Sequence, residues 1–411
     1  GFELSEDQQK WRDKAKAFAE NEIKPVSWKI DKGLTQEYPW PLIKKLNEQG
    51  LLSMGVPETY GGSGLDLLTT AIALEELAVA DGGISFTSSL NSFNSLMIAG
   101  NDDQKAEFLP LVCDKDNPGL AVFALTEPNA GSDAGSITTT ARADGQAYVL
   151  NGEKCFISNA GLASVYIVFA TVDRAKGIKG ITGFIVPKDA EGLTFGKIED
   201  KMGFRSSRTA SFNLEDVTIP QSYRLGKEGD GFKIAMQELD MLRVLSCGAV
   251  GVGIGRAACE DAVRFFKEQG NLKAVMNQQA ITFDLADMTA AVEAARLMVW
   301  KSCWKMDQGL PGTLDSSLTK FFAGDMAVEA AGKALRLLGH HAYTESYPIE
   351  KYVRDAKLLQ IYEGTNQVAR LHAYTESYPI EKYVRDAKLL QIYEGTNQVA
   401  RLVASRMILA G

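Results

Sequence analysis

The chain has 411 residues, of which 45% are hydrophobic and 23% charged, an ordinary balance for a globular protein with more than one domain. The net charge of −8 and the lack of a long basic run argue against a nucleic-acid-binding surface. No apolar run approaches the roughly 20 residues that a membrane-spanning helix needs, so no membrane insertion is expected.

The cysteines and histidines exclude two further classes of protein. The five cysteines are scattered and form no Cys-x-x-Cys pair, which is typical of reduced thiols in a cytosol-like compartment. His340, His341 and His372 do not have the spacing of a metal site, so no metal is expected. The acidic N-terminus passes directly into a helical pattern, which differs from a secretory signal.

The first two segments of the chain differ in their periodicity. Residues 1–117 are predicted to form a helical domain, with a clear helical pattern from about Leu67 to Ala80. Residues 118–228 are predicted to form a β-barrel or sandwich, because short β-rich runs follow one another without helices between them. Asn151-Gly152 separates two of these runs and predicts a two-residue hairpin turn.

Long helical patterns return in the third segment, residues 229–411. They extend from Phe232 to about Glu268, from Ala274 to about Met306, and from Leu318 to Leu338. Helices of this length with short connections predict an antiparallel four-helix bundle. The fold class is therefore an α+β multidomain protein in the order helical, β, helical.

The third segment contains a perfect 31-residue tandem copy, since residues 341–371 and 372–402 are identical. Solenoid repeats diverge and come in threes or more, so a single flawless copy indicates a recent duplication or an artificial one. Each copy carries a glutamate in a Tyr-Glu-Gly-Thr break between helical patterns, Glu363 and Glu394. In an apolar cleft such a carboxyl has a raised pKa, which suits a general base; a solvent-facing cap is the alternative.

A loop with ligand-binding character follows the first predicted strand. Residues 125–133 read LTEPNAGSD, and small hydroxyl and glycine residues let backbone N–H groups approach a ligand closely. By itself this loop is more typical of a polar surface turn. It is followed along the chain by residues 151–159 (NGEKCFISN), 202–207 (MGFRSS) and 360–366 (QIYEGTN). The order and spacing of these segments resemble the acyl-CoA dehydrogenase family over essentially the whole chain.

The resemblance implies that FAD binds between the β domain and the helical bundle. The positions that match the family's flavin contacts are Leu125, Thr126, Gly131, Ser132, Phe156, Ser158, and Thr365 or its copy Thr396. The positions that match its acyl-CoA contacts are Ser132, Asp240, Leu242 and Arg243, with an acyl pocket that includes residues near 91–96.

The resemblance also implies a mechanism, in which a glutamate removes the α-proton of the thioester while the β-hydride passes to flavin N5. The matching base is Glu363 or its copy Glu394, of which only one can lie beside the flavin. Some relatives carry the base at the position of Leu242, which cannot accept a proton. An arginine that is usual before the second bundle helix is missing, and Lys267 and Lys273 are the nearest cations.

Partners and compartment follow from the same resemblance. It implies an acyl-CoA substrate, electron-transferring flavoprotein as the electron acceptor, a homotetramer, and a bacterial cytoplasm or a mitochondrial matrix. The departures from the family pattern suggest an unusual acyl group, such as a cyclic or aromatic one. An acyl-CoA oxidase of the same fold, or an inactive relative that acts as a binding or assembly protein, are the alternatives.

Overall fold

Helices open the chain in the computed structural model, which describes residues 3–34, 38–91, 93–270, 275 and 277–377. Side-chain caps fix the starts of several of them: Ser5 forms a capping box before the first helix, and Asp66 and Asp81 accept hydrogen bonds from first-turn N–H groups. The helix predicted over Leu67–Ala80 is confirmed. The helices are α1 (Glu6–Phe18), α2 (Lys24–Asp31), α3 (Trp40–Glu48), α4 (Leu67–Ala80), α5 (Gly82–Leu90), α6 (Asn94–Ala99) and α7 (Asp102–Cys113).

The middle of the chain forms one eight-stranded sheet in the order β6-β7-β3-β2-β4-β5-β8, with β1 parallel to β4. Its strands are β1 (Ala121–Ala124), β2 (Thr140–Asp144), β3 (Ala147–Ser158), β4 (Val165–Thr171), β5 (Ile181–Pro187), β6 (Leu193–Ile198), β7 (Thr209–Pro220) and β8 (Arg224–Leu225). The rings of Tyr148 and Phe184 lie 4.9 Å apart. Those of Tyr166 and Phe212 lie 5.5 Å apart. These contacts join the two halves of the sheet around a shared core, in agreement with the predicted barrel or sandwich.

The hairpin turn predicted at Asn151-Gly152 is wrong. Both residues lie inside β3 and form a bulge against β7, where the pairing register shifts. The Asn151 amide donates to Asp216 Oδ1 at 2.9 Å and accepts from the Asp216 backbone N–H at 2.9 Å. The hairpin between β2 and β3 turns instead at Gly145, whose φ is 61°. An Asn-Gly pair marks an irregular backbone, and here cross-strand bonding makes that irregularity a bulge.

The C-terminal helices surround one long buried helix. By length and composition Gly231–Glu268 could cross a membrane, but 94% of its most apolar window is buried inside the protein. A π-helical segment, Arg243–Ala249, interrupts it, which the uniform apolar pattern did not predict. The helices are α8 (Gly231–Leu242), α9 (Val250–Glu268), α10 (Gln279–Asp307), α11 (Thr313–Leu338), α12 (Ile349–Leu359) and α13 (Asn366–Ser377).

A buried ion cluster, here called the three-domain junction, joins the three parts of the chain and consists of Asp81, Lys351 and Asp355. Lys351 Nζ of α12 lies 2.6 Å from Asp355 and 3.2 Å from Asp81, the cap of α5. From the middle domain, the Ser206 hydroxyl donates to Asp81 and the Phe204 backbone N–H donates to Asp355. Burial alone would raise the pKa of Asp81, but Lys351 and the Ser206 hydroxyl more than offset it and lower that pKa.

Replacing Lys351 with methionine should lower the free energy of unfolding by about 3–5 kcal/mol, because two buried carboxylates lose their counter-charge. Urea denaturation of the wild type and K351M, each at a fixed protein concentration and with equal flavin content, measures this loss.

The matched control for that comparison is K45M. Lys45 pairs with Glu22 at 2.6 Å, but the two side chains are 55% and 37% exposed. An exposed pair contributes about 0–1 kcal/mol, so K45M should change little. Equal losses in the two variants would show that the three-domain junction does not stabilise the fold more than a surface pair.

Candidate active site

The π-helical segment Arg243–Ala249 contacts the loop that follows α12, and that loop carries Glu363. The Ser246 hydroxyl contacts Glu363 Oε1, and Cys247 Sγ lies 3.2 Å from Oε2. Arg243 Nε donates to the backbone oxygen of Glu363 at 3.3 Å. Extra residues in a helical turn redirect the side chains around them, and π segments are frequent at functional sites. Here the segment gathers three groups onto one glutamate.

Ser246 allows Glu363 to be hydrogen-bonded in either protonation state. Its oxygen also lies 2.6 Å from the Leu242 carbonyl, which can only accept. A hydroxyl has one proton, so both bonds form together only when Glu363 is protonated and donates to Ser246. When Glu363 is ionised, the Ser246 proton turns to the carboxylate.

The electrostatic surroundings of Glu363 suit a group that takes up a proton. Burial raises the pKa of Glu363, while hydrogen bonds from Ser246 and Cys247 and the charges of Lys320 and Arg243 partly oppose this. Because burial has the larger effect, the pKa of Glu363 stays above its ordinary value. Carboxyl groups with raised pKa values are typical of general bases.

The backbone at Glu363 is strained, with a φ of 55° at Glu363 and 87° at Gly364. A left-handed conformation at a residue other than glycine costs about 1–3 kcal/mol and is maintained by its surroundings. The Tyr362 hydroxyl supports the turn by donating to the Ser246 carbonyl at 2.8 Å, and its ring packs 4.8 Å from that of Phe86. Among the residues that the structure describes, none accepts a hydrogen bond from the Glu363 backbone N–H, which leaves it for a ligand.

The predicted acyl-CoA positions on α8 and the π segment meet this turn. Arg243 is 3% exposed and its Nη1 lies 3.1 Å from Asp240 Oδ1. Asp240 in turn accepts from the Thr313 hydroxyl at 2.6 Å, which ties it to α11. Leu242 is buried between them. The structure therefore places Asp240, Leu242 and Arg243 in one stretch beside Glu363.

A buried ion pair holds the loop that follows β1. Lys154 of β3 donates to Glu127 at 2.8 Å and to the Leu125 carbonyl at 2.9 Å. The Cys155 N–H donates to the Thr126 carbonyl at 3.1 Å. Burial would raise the pKa of Glu127, but Lys154 lowers it to about 2, so this carboxyl is ionised. Leu125 and Thr126 are thus fixed against β3 beside Phe156.

Of the remaining predicted flavin positions, Gly131, Ser132 and Phe156 are exposed on the middle domain. Phe156 is 65% exposed and has a φ of 56°, and Ser158 is half-buried two residues further along β3. Gly131 and Ser132 are exposed, and a Cβ at Gly131 would meet no atom within 4 Å. Thr365 precedes α13 and accepts from a first-turn N–H. A large uncovered aromatic ring in a strained backbone fits a planar ring system such as the isoalloxazine of FAD.

The structure describes the whole first tandem copy and only residues 372–377 of the second. Residues of the first copy form α12, the Glu363 turn and the first half of α13. Glu394 and Thr396 lie outside the described residues. The predicted site residues of the first copy are therefore the ones that the structure places.

Three site residues were not predicted from the sequence: Ser246, Cys247 and Lys320. The signal for the first two was a run of small residues, Ser-Cys-Gly-Ala, in an otherwise bulky apolar helix. Lys320 carried a different signal, since it is a lysine on the buried face of α11, where it donates to Asn366 at 2.7 Å.

Family comparisons cover nearly the whole chain. The acyl-CoA dehydrogenase N-terminal domain matches residues 5–116 and the middle domain matches residues 122–217. The C-terminal domain matches residues 229–372 and again 371–409, which reflects the duplicated segment.

Individual relatives agree with this assignment. The short-chain specific acyl-CoA dehydrogenase of Clostridium acetobutylicum is 38% identical over 374 residues, which are 90% of this chain and 97% of that protein. The mitochondrial short-chain specific enzyme of Mus musculus is 40% identical over 375 residues, 90% of this chain and 89% of that protein.

Solved structures show the same fold. Butyryl-CoA dehydrogenase from Megasphaera elsdenii is 39% identical with a TM-score of 0.87, covering 92% of this chain and 99% of that one. A chain in the structure described as electron transferring flavoprotein of Acidaminococcus fermentans is 40% identical with a TM-score of 0.87, with the same coverage. PigA with FAD and proline is 27% identical with a TM-score of 0.85, again with 92% and 99% covered. The chain belongs to the acyl-CoA dehydrogenase family of FAD-dependent oxidoreductases.

Proposed function

We propose that this chain catalyses the α,β-dehydrogenation of a short-chain acyl-CoA thioester, with Glu363 as the base. The observation that carries the proposal is the Glu363 carboxyl group, buried against Ser246 and Cys247 at the end of a strained turn. The short acyl chain is supported by relatives named short-chain specific and by the butyryl-CoA dehydrogenase structure. FAD, when bound, supplies the hydride acceptor for the β-hydrogen.

The chain's own groups account for the removal of the proton. The ionised Glu363 takes the α-proton, and the Ser246 hydroxyl then turns to the Leu242 carbonyl while the new carboxylic acid donates to Ser246. Negative charge develops on the thioester carbonyl oxygen during this step. The Glu363 backbone N–H, which has no acceptor in the part of the chain that the structure describes, is available to stabilise that charge. Arg243 fixes the peptide by holding the Glu363 carbonyl.

The cofactor and partners belong to the same proposal. The loop of Leu125 and Thr126, the surface at Gly131 and Ser132, and the Phe156 ring would hold FAD. Asp240 and Arg243 would contact the CoA moiety. Electron transferring flavoprotein is the proposed acceptor, supported by the Acidaminococcus fermentans structure. We further propose that the chain assembles as a homotetramer. Its proposed compartment is a bacterial cytoplasm or a mitochondrial matrix, since relatives come from bacteria and from mitochondria.

Replacing Glu363 with glutamine should slow flavin reduction by butyryl-CoA by about 10³-fold or more, because an amide cannot take up the α-proton that Glu363 removes in this proposal. Bound FAD should be retained, since Glu363 does not hold it. Anaerobic stopped-flow absorbance measures the rate, and the visible spectrum measures the flavin content.

E394Q is the matched control, because it changes the identical residue of the second copy and should leave the rate near that of the wild type. An inactive E394Q with an active E363Q would move the base to the second copy. Rapid oxygen consumption during turnover would favour the oxidase alternative.

Replacing Ser246 with alanine should shift the acid limb of the rate profile to higher pH. The base works when ionised, and Ser246 stabilises the ionised form, so its loss raises the pKa of Glu363 further. The measurement is the rate of flavin reduction as a function of pH. S89A is the control, because Ser89 is equally buried but bonds only to the Phe86 carbonyl. An unchanged S246A profile would contradict the assigned hydrogen bond.

A further inference from the structure

A second buried carboxyl group, that of Glu238, lies on the helix face that leads to the base. Glu238 precedes Leu242 by four residues, so both side chains lie on one face of α8, and the Ser246 hydroxyl in the π segment that follows contacts the Leu242 carbonyl. The step from Glu238 to Leu242 is about 6 Å along the axis. Glu238 is 3% exposed and its carboxyl group accepts a hydrogen bond from the Ser95 hydroxyl of α6. Neither residue takes part in the proton transfer described above.

The pKa of the Glu238 carboxyl group lies close to neutral pH. Burial is the main cause that raises the pKa of Glu238 to about 7; the nearby charge of Glu363 adds to this rise, and the hydrogen bonds from Ser95 oppose it. A carboxyl group in this condition can accept a hydrogen bond from a ligand or donate one. It also disfavours a second negative charge beside it.

Asn94, which precedes Ser95 at the start of α6, provides an independent observation. Its side chain is 4% exposed, and its Nδ2 has no hydrogen-bond partner among the described residues. A buried polar group without a partner is rare in a native protein and calls for a ligand or another explanation. Asn94 and Ser95 belong to the segment 91–96, which together with Leu242 is expected to line the acyl pocket.

We propose that Glu238, Ser95 and Asn94 form a polar recognition point in the acyl pocket, which selects acyl-CoA thioesters with a hydroxyl group on the acyl chain. The inference rests on the proposed dehydrogenation. A hydroxyl group has one donor and two acceptor positions, so it can donate to Glu238 and accept from Asn94. A hydrocarbon chain leaves both groups unpaired, and a site built for a hydroxyl group discriminates strongly against it. An acyl chain ending in a carboxylate meets the like charge of Glu238.

The test compares matched thioesters on the FAD-loaded enzyme: butyryl-CoA with 4-hydroxybutyryl-CoA, and pentanoyl-CoA with 5-hydroxypentanoyl-CoA. Anaerobic stopped-flow flavin reduction gives kcat/KM for each. We expect the wild type to favour one hydroxyacyl thioester over its unsubstituted partner by at least tenfold. E238A and N94A should each lower that ratio by tenfold or more.

Controls separate recognition from damage to the fold. E238Q keeps the shape and one acceptor oxygen and should retain part of the preference. E76Q removes another buried carboxyl group, 5% exposed and paired with Arg256, and should leave the ratio unchanged. Flavin content and melting temperature are measured for every variant.

Three results would overturn the inference. A wild type that reduces the unsubstituted thioesters at least as well as the hydroxylated ones would remove it, while the proposed dehydrogenation would stand. An E238A variant that changes both members of a pair by the same factor would reduce Glu238 to a structural role. If no acyl-CoA of any kind reduced the flavin, the proposed function would fail, and this inference with it.

Discussion

The placement of Glu363, the proposed base, depends on the three-domain junction of Asp81, Lys351 and Asp355. Lys351 and Asp355 are four residues apart on α12, which ends at Leu359, just before the Glu363 turn. Asp81 caps α5, and backbone and hydroxyl groups of the middle domain bond to both carboxylates. A buried charge without a partner is strongly unfavourable, so the cluster favours the relative position of the three parts of the chain in which its charges are paired. That position fixes α12, the helix that leads into the Glu363 turn.

The turn itself shows how packing maintains an unfavourable local geometry. Left-handed backbone at Glu363 is disfavoured for any residue with a Cβ, and nothing in the Tyr-Glu-Gly sequence compels it. It is held by contacts made elsewhere, namely the Tyr362 hydroxyl on the Ser246 carbonyl and Arg243 on the Glu363 carbonyl. Both contacts come from the π segment. The irregular helix and the strained turn therefore support each other.

The helix face of Glu238 and Leu242 combines groups that favour the fold with groups that disfavour it. Leu242 is buried and apolar, as a core position should be. Glu238 is similarly buried, and burial makes the ionised form of its carboxyl group unfavourable. Ser95 supplies hydrogen bonding to Glu238, and Asn94 remains unpaired among the described residues. Polar groups of this kind in a core are better explained by recognition than by stability.

Periodicity and motif order in the sequence determined the helical, β, helical order and the family, because these depend on local spacing along the chain. The same motif order led to the proposal of a Tyr-Glu-Gly glutamate as the base. Local spacing did not decide between a turn and a bulge at Asn151-Gly152, since the outcome depends on Asp216, 65 residues away. The π segment, the pairing of Ser246 and Cys247 with Glu363, and the meeting of Glu238 with Ser95 also needed the tertiary structure. These contacts of Ser246, Cys247 and Glu238 join residues more than 100 positions apart, and only packing brings such residues together.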